Sequence, residues 1–554
     1  MPVANTLRRG RFLAATILLL QTTNLVNALD MHHRRQHLDI SMHKRGSELL
    51  ERAAVGEKVS FGYFSGLNTS GTDFSITDID TDSLTHVLYS FANVNSTTGI
   101  LSLSNAFVDE QNQFNSSSNI TASEDNLYGN LGELYQLKLQ NRHLKVLLSV
   151  GGLNQSDCFD FATNSTARHT FVANATQFIR DYALDGIDLN YEFPSTDEEG
   201  QGFADLVTSL RYAFDELQST KGEETPYLLS AAVSAGTNNS AHYKIHQMNA
   251  ALDYWNFMAF NYSGNWSAVS DNHANLFGGQ ESGVSTDGGI NWFISNGASP
   301  HKITLGIPLF GRTFENTTGL GQPFNTTLSS NSTVSLYKDL PYEGAVVFEN
   351  LTDVSSFSFD KSKGLLISFD TPNITLLKAQ YILNKGLAGS MFLDLSMDKT
   401  GNDSLVKIVT ERFNKMDSAE NHIDFPESKF GNVRDYMGMD CGSDSDTTDP
   451  SGSSNSTGSS VINAPSGSVA GASLVPPSFS LSRFSTIFVS STRPPSSSQT
   501  RSSFLDSASG ASSTISGSAN SSVSSLPSSS GKTSSSKDLS AVPTSTSTSH
   551  SHSA

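Results

Sequence analysis

Short apolar runs alternate with amphipathic stretches along the middle of the chain, and this alternation predicts the fold. Stretches such as 168–182 and 203–214 carry apolar residues at helical spacing. Strands that alternate with helices favour a parallel sheet of α/β class, and eight such units predict closure into a (β/α)₈ TIM barrel. The apolar runs that we interpret as its strands are 58–64, 84–94, 144–150, 184–194, 227–233, 253–261, 302–307 and 387–394.

The fourth of these runs, LDGIDLNYEFP at 184–194, combines apolar residues with acidic ones. Asp188, Asn190 and Glu192 are two positions apart, so a strand projects all three side chains to one side. Such residues are compatible with a solvated edge strand, but the apolar residues between them favour a buried one. Catalytic groups of a (β/α)₈ barrel lie at the carboxyl ends of its strands, where this run ends. We therefore predict the functional site here.

The connection between the seventh and eighth strands, at about 313–370, is unusually long. It contains the alternating runs AVVFEN and SFSFD with turn signals between them. A loop of this length is expected to carry secondary structure of its own. We therefore predict a small inserted subdomain between strands seven and eight.

The amino terminus has the pattern of a secretory signal peptide. Basic residues at 8–11 precede an apolar run at 12–20, and Val26-Asn27-Ala28 resembles a small-residue cleavage site. The apolar run is too short for a membrane span, so we expect residues 1–28 to be a signal peptide. The polar segment 29–56 contains two dibasic pairs, and two interpretations stay open: a trimmed pro-segment and an exposed linker.

The chain beyond the predicted barrel becomes steadily more polar. We expect the barrel domain at 57–415 and a polar extension at 416–441. From 442 to 554 the composition is dominated by Ser, Thr, Gly and Pro, with too few apolar residues to bury a core. This predicts a disordered, Ser/Thr-rich and O-glycosylated stalk. The final residues lack the apolar tail of a lipid-anchor signal, so we expect no membrane anchor by that route.

Composition narrows the choice of partners. The net charge of −19 disfavours nucleic acid and anionic membrane surfaces as ligands. Cys158 and Cys441 are the two cysteines, which excludes a disulfide-rich scaffold and permits one bridge in an oxidising compartment. The sequence shows no metal-ligand spacing and no phosphate-binding loop, so we predict no metal and no cofactor.

Acceptor sites for N-linked glycans are abundant, which favours a glycosylated, extracellular or cell-wall protein. Among others, Asn-x-Ser/Thr sites begin at Asn68, Asn95, Asn115, Asn119, Asn164, Asn174, Asn316, Asn325, Asn331, Asn350 and Asn373.

The acidic run resembles the DxxDxDxE signature of family 18 glycoside hydrolases, the chitinases and their relatives. Asp185, Asp188 and Glu192 match the signature, and Asn190 stands where the family has Asp. The resemblance extends from about 59 to 406. It includes SVGG at 149–152, MAFNYSGNW at 258–266, LGIPLFGRTF at 305–314 and GSMFLDLSMDK at 389–399. Family membership also implies that the insertion at 313–370 is a small α+β subdomain.

The resemblance implies substrate-assisted hydrolysis of glycosides, an exception to the usual pair of catalytic carboxylates. Glu192 takes the place of the general acid, and the N-acetyl carbonyl of the substrate acts as the nucleophile. Asp188 keeps a supporting place, while Asp185 is expected to be structural. Asn190 can accept a hydrogen bond from the substrate acetamide but cannot carry the negative charge of the family's Asp. Tyr63 stands where an aromatic residue lines the family's site, and a core tyrosine is an equally good interpretation.

Other positions depart from the family pattern. Phe260 lacks the hydroxyl of the family's Tyr, Asn261 replaces an Asp, and Leu393 replaces the Trp that stacks under the sugar. Arg312 keeps the place of an Arg that reaches the site, and a salt bridge at the barrel rim is the alternative. Trp266 is a candidate for stacking on a sugar, with a core position as the alternative.

These residues leave three functions open. The first is a secreted chitinase-like hydrolase, a glycosidase of impaired efficiency that acts on β-1,4-linked N-acetylglucosamine. The second is an inactive chitin- or oligosaccharide-binding pseudoenzyme of the cell wall, and the third is an endoglycosidase that cleaves N-linked glycans. We favour the first and expect a monomer. Because Asn190 removes a like charge beside Glu192, we also expect a lower pH optimum than is usual in the family.

Overall fold

The computed structural model describes residues 56–66, 74–113, 125–152, 156–279, 281–325 and 333–438. The predicted signal peptide, nearly all of the segment 29–56 and the Ser/Thr-rich tail lie outside these residues. Cys441 lies outside them too, so its pairing with Cys158 stays a prediction.

The described residues form fifteen strands and eight α-helices. The strands are β1 (Glu57–Ser65), β2 (His86–Val94), β3 (Leu101–Ser102), β4 (Lys145–Gly151), β5 (Gly186–Asn190), β6 (Leu228–Ser234), β7 (Tyr254–Met258), β8 (Ile303–Pro308), β9 (Phe310–Phe314), β10 (Val334–Leu336), β11 (Val346–Asn350), β12 (Ser355–Asp360), β13 (Leu365–Ser368), β14 (Gly389–Leu393) and β15 (Lys415–Met416). The helices are α1 (Gly129–Gln140), α2 (Ser165–Asp181), α3 (Asp197–Lys221), α4 (Ile245–Ala251), α5 (Thr286–Ser295), α6 (Pro372–Lys385), α7 (Leu405–Thr410) and α8 (Gly431–Arg434).

Eight parallel strands close into a barrel, as predicted. They follow the order β1, β2, β4, β5, β6, β7, β8 and β14, and β1 pairs in parallel with both β2 and β14. The (β/α)₈ fold is therefore confirmed. The sixth predicted strand ends early, at Met258 rather than at residue 261. Asn261 has φ 63°, in the left-handed region, which is incompatible with an extended strand.

The insertion between β8 and β14 lies where the sequence predicted it. Its strands form a five-stranded sheet in the order β10–β9–β13–β12–β11, and every pairing is antiparallel. The described part of 313–370 contains one helical segment, a 3₁₀ turn at Tyr337–Asp339. The insertion is therefore mostly β-sheet, with less helix than an α+β subdomain leads one to expect.

The predicted polar extension packs across the amino-terminal end of the barrel. Asp417 pairs with Lys145 at the start of β4, with 3.0 Å between Oδ2 and Nζ. Asn421 donates to three backbone carbonyls of the segment that leads into β4. His422 donates its backbone N–H to Asp185 Oδ1 at 2.8 Å. These contacts make the described part of 416–441 a component of the folded barrel.

Asp185 lies at this same end and is a structural residue. Its Oδ2 lies 2.7 Å from the Lys138 ammonium and accepts the Val146 backbone N–H at 2.6 Å. Both charged side chains are almost completely buried. Burial lowers the pKa of Lys138, and the Asp185 carboxylate opposes that change.

We expect Asp185→Asn to lower the free energy of unfolding by about 1.5–3 kcal/mol, because the buried Lys138 loses a charge-assisted hydrogen bond. Urea denaturation measures this loss. Asp215→Asn is the matched control, since Arg211 loses the Asp215 contact and keeps its 2.7 Å contact with Asp253. Equal losses in both variants would contradict the assignment.

Candidate active site

Asp188 is the centre of a hydrogen-bond network that only a closed barrel can assemble. Its Oδ2 accepts from Tyr63 Oη at 2.9 Å and from Ser149 Oγ at 2.7 Å. Its Oδ1 accepts from Ser230 Oγ at 2.6 Å and from Asn256 Nδ2 at 2.9 Å. The four donors belong to β1, β4, β6 and β7, so the carboxylate lies inside the barrel.

Asp188 is completely buried, and no cation contacts it in the described residues. Burial raises its pKa, and the four hydrogen bonds that it accepts oppose this rise. A buried carboxylate of this kind is costly unless its lone pairs are satisfied. The network fixes the side chain and, through it, the carboxyl end of β5.

Glu192 lies two residues beyond the end of β5, at the same end of the barrel. Burial raises its pKa to about 7, and a hydrogen bond from the Asn190 side chain acts in the opposite direction. Tyr63 and Tyr243 are close enough to interact electrostatically with it. A carboxyl group with this pKa is protonated in mildly acidic solution and can donate its proton there.

Asn190 is the last residue of β5 and contacts Glu192. Its amide nitrogen donates a hydrogen bond to Glu192. Its Oδ1 is buried and has no hydrogen-bond partner among the described residues. An unsatisfied buried acceptor is costly and uncommon. The arrangement therefore provides an acceptor for a donor group of a bound ligand, immediately beside a proton donor.

Gly151, in the SVGG motif, permits the close approach of β4 and β5 at this point. Its φ is 100°, and a Cβ atom there would lie 2.5 Å from the carbonyl oxygen of Asn190. The next residue, Gly152, donates its N–H to that same oxygen at 2.9 Å. The two glycines thus position the backbone of Asn190.

The interior of the barrel brings several predicted site residues together. One apolar cluster contains Tyr63, Phe260 and Met391, with Leu393 packed against it. Phe260 is buried and its ring meets Phe310 edge-on, with 5.8 Å between centroids. Phe260 has no hydroxyl group and Leu393 has no aromatic ring, and their roles toward a substrate stay predictions. Tyr63 is both a core tyrosine and a donor to Asp188, so the two interpretations of it are compatible.

The remaining predicted residues form a second group on the segment after β7 and on β9. Arg312 donates through Nε to Asn261 Oδ1 at 2.8 Å. Its guanidinium carbon lies 5.0 Å from the centre of the Trp266 ring. Trp266 is 58% exposed, which excludes a core position and leaves its ring available to a ligand. Burial lowers the pKa of Arg312 to about 10, and it contacts a neutral amide rather than a carboxylate.

Two members of the Asp188 network, Ser230 and Asn256, were not predicted from the sequence. Asn256 is the one amide residue in the strand YWNFM, and Ser230 is the serine in the interior of the strand LLSAAVS, whose other serine is its last residue. That pattern is the signal that would have identified them, because an isolated polar side chain inside a barrel needs a buried partner.

Two features are absent from the described ranges, a metal-binding cluster and a membrane-spanning helix. No group of three or more His, Cys, Asp or Glu residues there could hold a metal ion. No described helix has both the length and the apolar character needed to cross a membrane.

Comparisons with known proteins identify relatives of this chain. The family model for glycosyl hydrolases family 18 matches residues 59–398. Chitinase 1 of Aphanocladium album is 35% identical over 382 residues, which cover 68% of this chain and 90% of that protein.

Solved structures extend the comparison to the fold. Chitinase ChiA74 from Bacillus thuringiensis is 26% identical with a TM-score of 0.59, over 64% of this chain and 70% of that one. A class V chitinase from Nicotiana tobaccum in complex with NAG4 is 23% identical with a TM-score of 0.56, over 65% of this chain and 99% of that one. The second likeness bears on the fold alone.

Proposed function

Because this chain belongs to family 18 of the glycosyl hydrolases, we propose that it hydrolyses β-1,4-linked N-acetylglucosamine polymers of the chitin type. The observation that carries the proposal is the pair formed by Glu192 and Asn190. A carboxyl group with a pKa of about 7 lies beside a buried amide oxygen that has no partner in the described residues. The first group can protonate a glycosidic oxygen, and the second can accept the N–H of a substrate acetamide.

The substrate's own acetamide supplies the nucleophile in this mechanism. Its carbonyl oxygen attacks the anomeric carbon while Glu192 donates its proton to the departing sugar. Water then opens the resulting oxazolinium ion with retention, and Glu192 receives the proton that the water loses. Asn190 holds the acetamide N–H so that the carbonyl oxygen is directed at the anomeric carbon. The NAG4 ligand of the tobacco chitinase belongs to the same chemical class.

We propose that the reaction is slower than a complete site of this type would allow. Asn190 carries no charge to stabilise the oxazolinium ion, and Phe260 cannot donate a hydrogen bond to the acetamide oxygen. Loss of one transition-state contact typically lowers kcat by about 10²–10³-fold, and such losses within one site are not additive. Leu393 removes the aromatic floor and weakens binding of the sugar ring.

Incubation of the full chain with a soluble chito-oligomer tests the proposal. We expect mass spectrometry to detect shorter oligomers with wild type and not with Glu192→Gln. Depletion of the free oligomer without shortening would contradict hydrolysis.

That outcome would instead support the second candidate, a binding protein without turnover. Phe260 and Leu393 favour it, because both lie in the barrel cluster and both lack the groups that the chemistry uses. Retention of a protonatable Glu192 favours hydrolysis over this alternative.

The pH dependence follows from the pKa of Glu192. The acid must be protonated, so we expect activity below pH 7 that falls tenfold per pH unit above about pH 7. The sequence-based expectation of a lower optimum than is usual in the family stays a prediction, because burial raises the pKa here without the further rise that a neighbouring Asp would add. A pH–rate profile on a chito-oligomer measures it. A basic limb near pH 4.5, the ordinary pKa of Glu, would contradict the role of burial.

We propose that the protein acts outside the cell or in the cell wall. The signal-peptide pattern of residues 1–28 and the many Asn-x-Ser/Thr sites support this location. Fractionation of a culture, with detection of the amino terminus by mass spectrometry, tests it.

A further inference from the structure

Exposed apolar side chains are concentrated on one part of the insertion. Ten large apolar side chains are exposed in the described residues, and five of them lie between residues 342 and 351. These five are Tyr342, Val346, Val347, Phe348 and Leu351. Most of them belong to β11, the outermost strand of the insertion sheet, which is exposed along its whole length.

Two aromatic rings stack on one face of this edge. β11 and β12 form a hairpin in which Phe348 lies directly opposite Phe357. Their rings are 5.0 Å apart with an interplanar angle of 16°, and Phe348 is 45% exposed. Because side chains alternate along a strand, Asn350 projects from the same face as Phe348, roughly 6.6 Å further along by the strand rise.

Asn350 begins the sequence Asn350-Leu351-Thr352, an acceptor site for an N-linked glycan. The residue is exposed and starts the turn of the hairpin. Its Oδ1 accepts the backbone N–H groups of Thr352 at 3.0 Å and of Asp353 at 3.2 Å. The side chain is thus held at the surface by its own turn, beside the exposed ring of Phe348.

We propose that Asn350 carries an N-linked glycan whose first N-acetylglucosamine stacks on Phe348. In the modification, Asn350 Nδ2 loses a proton and forms a bond to C1 of the sugar. The bond from C1 to the diphosphate of a lipid-linked oligosaccharide donor breaks, and the lipid diphosphate leaves. The C–H face of the attached pyranose then removes apolar ring surface from water, which stabilises the hairpin.

A glycan suits this edge better than a protein partner does. An exposed apolar edge strand is a template for pairing with another chain, and natural proteins cover or interrupt such edges. A covalently attached glycan covers β11 and adds no further exposed strand edge.

Asn95 provides a matched comparison within the same chain. It also begins an acceptor site, is exposed, and accepts the N–H groups of Thr97 at 3.1 Å and Thr98 at 2.9 Å. Two residues before it lies Asn93, where the Asn350 site has Phe348. A glycan on Asn95 therefore has no ring at this position and is not expected to stabilise the fold in the same way.

The test uses the full chain, expressed in a secretory host that performs N-glycosylation. We expect glycopeptide mass spectrometry to find Asn350 occupied. Thr352→Ala removes the acceptor site but keeps Asn350 and its turn, and is expected to lower Tm by on the order of 2 °C. Thr352→Ser keeps the site and is expected to leave Tm unchanged, as is Thr97→Ala, which removes the Asn95 site.

Variants of Phe348 test whether stacking on its ring causes the difference in Tm. In a Phe348→Ala background, Thr352→Ala is expected to produce no further change in Tm, whereas Phe348→Tyr keeps the effect. An unoccupied Asn350, an equal Tm loss in the Phe348→Ala background, or sedimentation as a dimer paired through β11 would each overturn the proposal. None of these measurements depends on hydrolytic activity, so they are independent of the proposed function.

Discussion

Replacement of Glu192 by glutamine is expected to lower kcat on a soluble chito-oligomer by about 10²–10⁴-fold, the range typical of general acid–base catalysis. Glutamine keeps the size and the hydrogen-bonding groups of the side chain but has no proton to give to the leaving sugar. Binding of the oligomer, measured by calorimetry, is expected to change little. A kcat within threefold of wild type would contradict the role of Glu192.

The stability of Glu192→Gln at different pH values shows whether the variant folds correctly. The folded-state pKa of Glu192 is about 7, above its ordinary value of 4.5. The folded state therefore binds the proton more tightly than the unfolded state, and stability falls as pH rises from about 4.5 to about 7. Glu192→Gln removes this loss, so we expect it to be more stable than wild type at pH 8 and about equally stable at pH 4.

Replacement of Asn190 by aspartate is expected to raise kcat by about 10²–10³-fold, the size of one preorganised electrostatic contact in a transition state. The new carboxylate can accept the acetamide N–H and also stabilise the positive charge of the oxazolinium ion. It places a like charge beside Glu192, which raises the pKa of that residue and moves the basic limb of the pH–rate profile above pH 7.

Asn190→Ala is the matched control, because it removes the acceptor oxygen without adding charge. We expect its kcat to be lower than that of wild type. Steady-state kinetics on the same oligomer compare the three proteins. An aspartate variant no faster than wild type would contradict the view that the missing charge limits the reaction.

The barrel could be predicted because its signals are local. Each strand is a short apolar run, and each helix repeats its apolar residues every three or four positions. The same locality explains the error at the sixth strand, where the apolar run continues to Phe260 but the chain turns at Asn261. A left-handed backbone at an asparagine leaves little trace in the pattern of apolar residues.

The interior of the site could be predicted only in part. Asp188 and Glu192 were found by their alternation, but the donors to Asp188 lie between 39 and 125 residues away in the sequence. Only closure of the barrel brings them together. The contact of Arg312 with Asn261 and Trp266 similarly requires the β9 strand to lie against the segment that follows β7.

Proton NMR of wild type acting on a chito-tetramer tests substrate-assisted hydrolysis by this site, because it reports cleavage and stereochemistry together. We predict new reducing ends that appear first as the β-anomer, with no cleavage of the corresponding glucosamine tetramer, which lacks the acetamide. An unchanged N-acetylated tetramer, initial release of the α-anomer, or equal cleavage of both tetramers would contradict it.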